Sequence, residues 1–100
     1  MYEELLLAYL KANCAGRRNT RKSIIIERAL NMNGNVLRHH VNRMRRKGIP
    51  IGSCKEGYFY AVTAGEVYYT IRQLRLMEKG LNAAICGLEM ALDSFGVEEG

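Results

Sequence analysis

The first half of the chain repeats apolar residues every three or four positions, which is the spacing of one face of an α-helix. A first helix is predicted over Tyr2–Asn13, and its apolar face consists of Leu5, Leu6, Tyr9 and Leu10. A second helix is predicted over Ser23–Leu30, where Thr20 or Ser23 can cap the first turn. Its predicted core residues are Ile26, Ala29 and Leu30.

The segment "NMNG" predicts a tight turn, because Asn and Gly tolerate the left-handed backbone conformation. A third helix is then predicted from Asn35, which can cap it, to Lys47. Its inward stripe is Leu37, Val41, Met44 and Gly48. The same spacing gives an outward side of Asn35, His39, Asn42 and Arg46, flanked by Arg38, Arg43 and Arg45. This helix therefore separates an apolar face from a face rich in hydrogen-bond donors.

The pattern after Gly48 changes from helical to strand-like. The runs "IPIGS" and "GYFYAV" are short and rich in β-branched or aromatic residues. The "CKE" between them predicts a hairpin with Lys55 at its tip and with Gly57 at a turn position of positive φ.

From Ala64 onward, apolar residues alternate four and three positions apart, which is the heptad pattern of a coiled coil. The seam is Val67, Ile71, Leu74, Glu78, Leu81, Ile85, Leu88, Leu92 and Phe95. Such a helix offers more apolar surface than one small domain covers, so the sequence predicts a homodimer through the seam. Packing of the seam on its own domain is the alternative, and Gly80 leaves open a break into two helices.

The charge of the chain is distributed unevenly. The 100 residues are 48% apolar and carry a formal net charge of +5. Residues 17–47 contain ten bases and one acid, Glu27, a net of +9, whereas residues 64–100 contain three bases and six acids. Concentrated positive charge attracts polyanions, so the basic segment indicates a nucleic-acid partner. A merely solvated basic surface is the alternative.

The order of predicted elements is that of a winged helix-turn-helix, in which the third of three helices enters the major groove and a hairpin follows it. The predicted fold is mainly α with a small β-hairpin. It comprises a winged helix-turn-helix DNA-binding domain over residues 1–63 and a long C-terminal helix for dimerisation over residues 64–100.

The run from Ala29 to Ala61 also resembles the N-terminal DNA-binding domain of the biotin-ligase repressors and related small winged-helix proteins of bacteria and their phages. The resemblance rests on the Ala-Leu helix end, the short turn, Val41 before a basic run, "MRRKGIPI", and the "GY" of the second wing strand. It implies a phage-related winged-helix protein without biotin chemistry. The sequence departs from that family at Lys22, where such domains have a small polar cap.

The predicted function is therefore sequence-specific binding of double-stranded DNA by a small dimeric transcriptional regulator. In the major groove, arginine pairs with guanine and asparagine with adenine through two hydrogen bonds each. The candidate contacts on the third helix are Asn35, Arg38, His39, Asn42, Arg43, Arg45 and Arg46. Candidate phosphate contacts are Arg17, Arg18 and Arg21 in the basic loop and Lys55 on the wing.

Two other functions stay open. The chain can be an interaction module whose C-terminal helix recruits a replication or phage-assembly partner. It can also bind RNA or single strands by stacking bases on Tyr58 and Tyr60. Tyrosines on a strand beside a helical core more often pack against that core, and this is the outcome we expect.

No residue set indicates catalysis, a cofactor or a small-molecule effector. His39 and His40 point about 100° apart on a helix, so no metal site is predicted, and His40 is expected to flank the core. The cysteines Cys14, Cys54 and Cys86 are widely spaced and are expected to be reduced. "LLLAYL" is too short for a membrane helix or a signal peptide, so we expect a cytoplasmic protein with no membrane partner.

Overall fold

A computed structural model describes residues 2–95, which form four α-helices and one antiparallel β-hairpin. The helices are α1 (Tyr2–Asn13), α2 (Ser23–Leu30), α3 (Gly34–Arg46) and α4 (Ala64–Leu92). The strands are β1 (Ile51–Cys54) and β2 (Gly57–Tyr60), and short 3-10 turns lie at Arg17–Asn19 and Asp93–Phe95. The prediction of a mainly helical chain with a small hairpin and a long C-terminal helix is confirmed.

The described residues divide into two compact units, an N-terminal unit that ends at Thr70 and a C-terminal segment that begins at Ile71. The core of the N-terminal unit is formed by one face each of α1, α2 and α3 together with the hairpin. Its buried apolar members are Leu6, Leu10, Cys14, Ile26, Leu37, Val41, Met44, Ile51, Phe59 and Ala61.

Two residues predicted for the apolar faces of α1 and α2 are exposed instead. Leu5 is 52% exposed because it lies about 100° around α1 from the buried Leu6. Ala29 is exposed because the core side of the short α2 is narrow and is filled by Ile26 and Leu30. Both elements bury fewer positions than their sequence period suggests.

The caps of α2 and α3 differ from the predicted ones. α3 begins one residue earlier than predicted because Asn33, not Asn35, caps it: Asn33 Oδ1 accepts the Val36 N–H at 2.9 Å. The cap of α2 is Lys22, which makes no side-chain capping bond. The predicted cap Ser23 instead donates its hydroxyl to Glu27 at 2.6 Å.

The other predicted cap, Thr20, donates its hydroxyl to the carbonyl of Arg17 in the preceding 3-10 turn. At the C-terminal end of α2, Asn31 is the cap residue and has the left-handed conformation, with φ of 54°. The tight turn before α3 is therefore confirmed, with Asn31 as its left-handed residue.

The hairpin has the predicted strands and turn. Ile51 pairs with Tyr60 and Cys54 with Gly57, so Lys55 and Glu56 form the tip. Gly57 has the predicted positive φ, 142°, and a Cβ there would lie 2.0 Å from a backbone oxygen.

The segment before α2 covers the other edge of β2. Arg21 and Tyr58 exchange backbone N–H to O bonds of 3.1 and 3.0 Å, and Tyr60 exchanges backbone bonds with Cys14 and Gly16. Strand β2 is therefore bonded along both edges.

The long helix α4 is continuous through Gly80 and Gly87, so it has no break near Gly80. Its first turn is capped by Thr63, which accepts the Glu66 N–H at 3.1 Å. Every residue from 74 to 95 is exposed. No helix within residues 2–95 is both long and apolar enough to cross a membrane.

Candidate nucleic-acid interface

Helix α3 has one buried face and one exposed polar face, as predicted, but Gly48 of the predicted inward stripe lies beyond the end of the helix and is exposed. Leu37, Val41 and Met44 are at most 2% exposed and belong to the core of the N-terminal unit. The opposite side, which we call the outer face of α3, consists of Asn35, Arg38, His39, Asn42 and Arg46, all of them exposed. Four of these residues lie within a sector of about 60° around the helix axis, with Arg38 on its flank.

Asn35 and Arg38 are paired with each other on this face. The Arg38 guanidinium donates to Oδ1 of Asn35, three residues earlier on the helix. Because Asn33 supplies the cap, the Asn35 side chain is not tied to the backbone of the first turn. Its amide NH2 group can therefore donate outward.

The side of α3 that faces α1 holds a carboxylate. Glu3 on α1 lies 2.9 Å from Lys47 Nζ, 3.3 Å from His40 Nδ1 and 3.2 Å from Arg43 Nε. Hydrogen bonds from Lys47 and His40, with the nearby positive charges, lower the pKa of Glu3 to about 2. Arg43, a predicted DNA contact, is therefore partly compensated by Glu3, and His40 is half-buried beside the core as predicted.

Arg45 is directed to the hairpin. Its Nε donates to the carbonyl of Ile51 at 2.8 Å and its Nη2 to the Ser53 hydroxyl at 3.0 Å. Desolvation lowers the pKa of this guanidinium from its ordinary value. The structure thus makes Arg45, predicted as a DNA contact, a link between α3 and β1.

The three arginines of the basic loop have different surroundings. The Arg17 guanidinium lies 4.0 Å from the centre of the Tyr69 ring, a cation–π contact. Arg21 donates to the Tyr9 hydroxyl at 2.8 Å and is half-buried. The Arg18 side chain is exposed and has no hydrogen bond or ion pair among the described residues. Only Arg18 is wholly available to a phosphate.

The hairpin presents a base at its tip and keeps its aromatic rings against the core. Lys55 is exposed, as the predicted position at the tip requires. Phe59 is fully buried, and the half-buried Tyr58 and Tyr60 pack against the core cluster. Packing of these rings is confirmed, and it leaves little ring surface for stacked bases.

Two exposed bases near the ends of α2 contribute to the charge of the basic segment and have no predicted role. They are Lys22 and Arg28, and their side chains make no ion pair within residues 2–95. Their position at either end of the helix that precedes α3 is the signal that marks them. With them, the exposed arginines and lysines within residues 2–70 whose side chains make no hydrogen bond, ion pair or cation–π contact are Arg18, Lys22, Arg28, Arg46 and Lys55.

The predicted seam residues fall in both units. Val67 packs against the core of the N-terminal unit. The others lie in the C-terminal segment and are 38% to 70% exposed; they are Ile71, Leu74, Leu81, Ile85, Leu88 and Leu92. The C-terminal segment thus has an apolar face that its own residues do not cover.

No three His, Cys, Asp or Glu side chains in the described part of the chain are grouped to hold a metal ion. The thiols of Cys14, Cys54 and Cys86 are free, and burial raises the pKa of the Cys14 thiol.

Comparisons of the chain with protein-family models, curated protein sequences and solved structures found no match. The geometry of this chain is therefore what supports a function.

Proposed function

We propose that the protein is a winged helix-turn-helix protein that binds double-stranded DNA as a homodimer and regulates transcription. The outer face of α3 is the observation that carries this proposal. Its five polar side chains are exposed on a helix whose other face is buried, within a segment of net charge +9. A helix of this kind can enter a major groove, about 12 Å wide, without exposing apolar surface.

Each part of the N-terminal unit has a role in this proposal. On the outer face, Arg38 and Arg46 pair with guanine and Asn42 with adenine. The exposed bases outside α3 hold phosphates, which fixes the register of the helix in the groove; they are Arg18, Lys22, Arg28 and Lys55. The backbone bonds between Arg21 and Tyr58 support the wing, because they stiffen the strand that carries it.

The homodimer follows from the exposed apolar face of the C-terminal segment. Two copies joined there carry two α3 helices, which suits a DNA site with two-fold symmetry. The seam residues that enter this dimer are the exposed ones from Ile71 to Leu92.

The test is a salt titration of binding to duplex DNA, read by fluorescence anisotropy. The Arg38→Ala/Arg46→Ala variant is compared with Arg72→Ala/Lys79→Ala, which removes the same charge from exposed positions of α4. Each arginine–guanine contact is worth about 1–3 kcal/mol, so the affinity for duplex DNA should fall only in the α3 variant. The wild-type log–log salt slope, about −0.9 for each phosphate contact, reports the bases that hold phosphates. An equal loss of affinity for duplex DNA in both variants, or no binding by the wild type at low salt, would refute the proposal.

A second function is favoured by one observation, the row of exposed apolar side chains on the C-terminal segment. In this alternative the segment recruits a different protein, and the basic unit is a scaffold. Its signature is that the Arg38→Ala/Arg46→Ala variant keeps full function in cells, whereas substitutions in the seam abolish it.

A further inference from the structure

We infer that the C-terminal segment pairs with the same segment of a second copy in the antiparallel orientation. The inference rests on the homodimer of the proposed function and adds its orientation and register. In heptad positions, Ile71, Glu78, Ile85 and Leu92 occupy a, and Leu74, Leu81, Leu88 and Phe95 occupy d. These side chains lie on one side of α4 and its final turn, and Ile85, Leu88, Leu92 and Phe95 line an apolar hollow at its end.

The charges of the segment favour opposite directions for the two helices. The bases lie in its first part, at Arg72, Arg75 and Lys79, together with one acid, Glu78, and the acids Glu89 and Asp93 lie in its last part. In a parallel pair each charged residue lies at the same level as its own copy, so no basic part lies beside an acidic part. An antiparallel partner places the basic part beside the acidic part, and opposed helix dipoles add to this attraction.

One antiparallel register pairs apolar residues in every layer except the two that contain Glu78. Leu81 packs against the partner's Ile85, and Leu74 packs against the partner's Leu92. Arg75, at heptad position e, then lies beside the partner's Glu89, also at e, which gives two symmetric ion pairs.

The same register brings identical residues together at its centre. Asn82 meets the partner's Asn82, so two amides can hydrogen-bond across the two-fold axis. On the other side of the seam, Ala84 meets the partner's Ala84, and small side chains there let the helices approach closely.

The parallel alternative makes poorer contacts. It places Glu78 directly opposite the partner's Glu78, two like charges within the apolar seam. Its flanking pairs are Met77 with the partner's Asn82 and Ala84 with the partner's Glu89, and neither is an ion pair. In the antiparallel register, Glu78 faces the partner's Leu88 and lies about ten residues from its own copy.

The orientation is tested by nitroxide distances in the full chain without DNA. Cys54→Ser and Cys86→Ser remove the more accessible thiols, and the label is attached through Arg72→Cys in one sample and Ala83→Cys in another. In the antiparallel register the two labels at position 72 are about 33 Å apart along the helix axis. The control labels at position 83 lie at the same level in either orientation, so they have no axial separation and only the width of the helix pair lies between them.

A long distance at position 72 with a short one at position 83 supports the inference. Short distances at both positions mean a parallel pair and overturn it, as does a monomer mass by light scattering. Because DNA is absent, these outcomes are independent of whether the duplex assay succeeds.

The register is tested by charge reversal. Arg75→Glu or Glu89→Arg alone opposes like charges at both e–e pairs, and we expect the dimer dissociation constant to rise roughly tenfold. The double variant restores opposite charges and should return the constant close to that of the wild type. Single effects that simply add in the double variant overturn the register, because residues 75 and 89 then do not meet.

Discussion

One carboxylate on α1 controls the charge of one side of α3. Glu3 keeps His40, Arg43 and Lys47 directed toward α1, so these three groups do not extend from the outer face. The bases left to reach outward from α3 are Arg38 and Arg46. A partner of α3 therefore meets fewer basic side chains than the basic run in the sequence contains.

The lowered pKa of Glu3 predicts an acid-sensitive contribution to stability. A carboxyl group whose folded pKa is about 2 and whose unfolded pKa is about 4.3 stabilises the fold fully above pH 4.3 and progressively less as the pH falls toward 2. We expect the urea midpoint to fall over that window. In Glu3→Gln the midpoint should be lower at pH 7, and the fall between pH 5 and pH 2 smaller. An identical acid profile in the variant would contradict this role of Glu3.

Gly57 is predicted to be the least replaceable residue of the hairpin. Its φ of 142° strains any other residue, and an added Cβ would lie 2.0 Å from the Arg21 carbonyl oxygen. We expect Gly57→Ala to lower the free energy of unfolding by about 2 kcal/mol or more. Gly80→Ala is the control, because a Cβ there meets no atom within 4 Å and alanine favours a helix by about 1 kcal/mol. Chemical denaturation of both variants measures the contrast.

At the scale of elements, two adjacent arginines of α3 are predicted to have opposite roles. Arg45 bonds to Ile51 and Ser53, whereas Arg46 is exposed. We expect Arg45→Ala to destabilise the protein by about 1–3 kcal/mol through the loss of these hydrogen bonds. Arg46→Ala should change stability by less than about 0.5 kcal/mol and should weaken duplex binding. Paired denaturation and anisotropy measurements separate the roles, and a reversed order would refute them.

The elements themselves were predictable, because hydrophobic period depends on each element alone. The spacing of Leu37, Val41 and Met44 predicts both faces of α3, and the change of period after Gly48 predicts the hairpin. Caps were less predictable, since Asn33 and Asn35 have the same chemistry and only the backbone of the turn decides between them. The N-terminal turn of α3 was therefore placed one residue late.

Contacts between elements account for the other differences. The pairing of Glu3 with Arg43 joins residues 40 positions apart, and neither helix carries a local pattern that reports it. Arg45 likewise has the sequence context of an exposed base, but its long side chain reaches the strand that follows. The distribution of charge along the sequence identifies the basic segment, but it does not distinguish bases that have internal partners from bases that have none.

At the scale of the whole molecule, association through the seam predicts a response to single substitutions on α4. Leu81→Lys inserts a charge into the seam, and we expect light scattering to show half the wild-type mass and duplex binding to weaken. Leu76→Lys is the matched control, because Leu76 is exposed at a heptad position outside the seam. If Leu81→Lys remains a dimer, or if Leu76→Lys becomes a monomer, the two copies do not associate through the seam.

The same association predicts that stability depends on protein concentration. A ligand or partner that binds only the folded state raises the thermal midpoint by mass action. The wild-type midpoint should rise between micromolar and higher concentrations, whereas that of Leu81→Lys should not. A constant wild-type midpoint measured by calorimetry would indicate that the dimer does not form in this range.

The exposure of the C-terminal part of α4 predicts how its backbone amides exchange with solvent. Every residue from 74 to 95 is exposed, and Gly80 and Gly87 lower helix propensity in the middle of that stretch. Most of the stability of a helix in a protein comes from packing of its apolar face, which this stretch lacks, so its backbone amides should exchange with solvent quickly in dilute protein. Where two copies meet, those amides should become protected. Helix formation around Gly80 is then coupled to association. Association of two copies should therefore slow amide exchange in α4 without a change of exchange in the N-terminal unit.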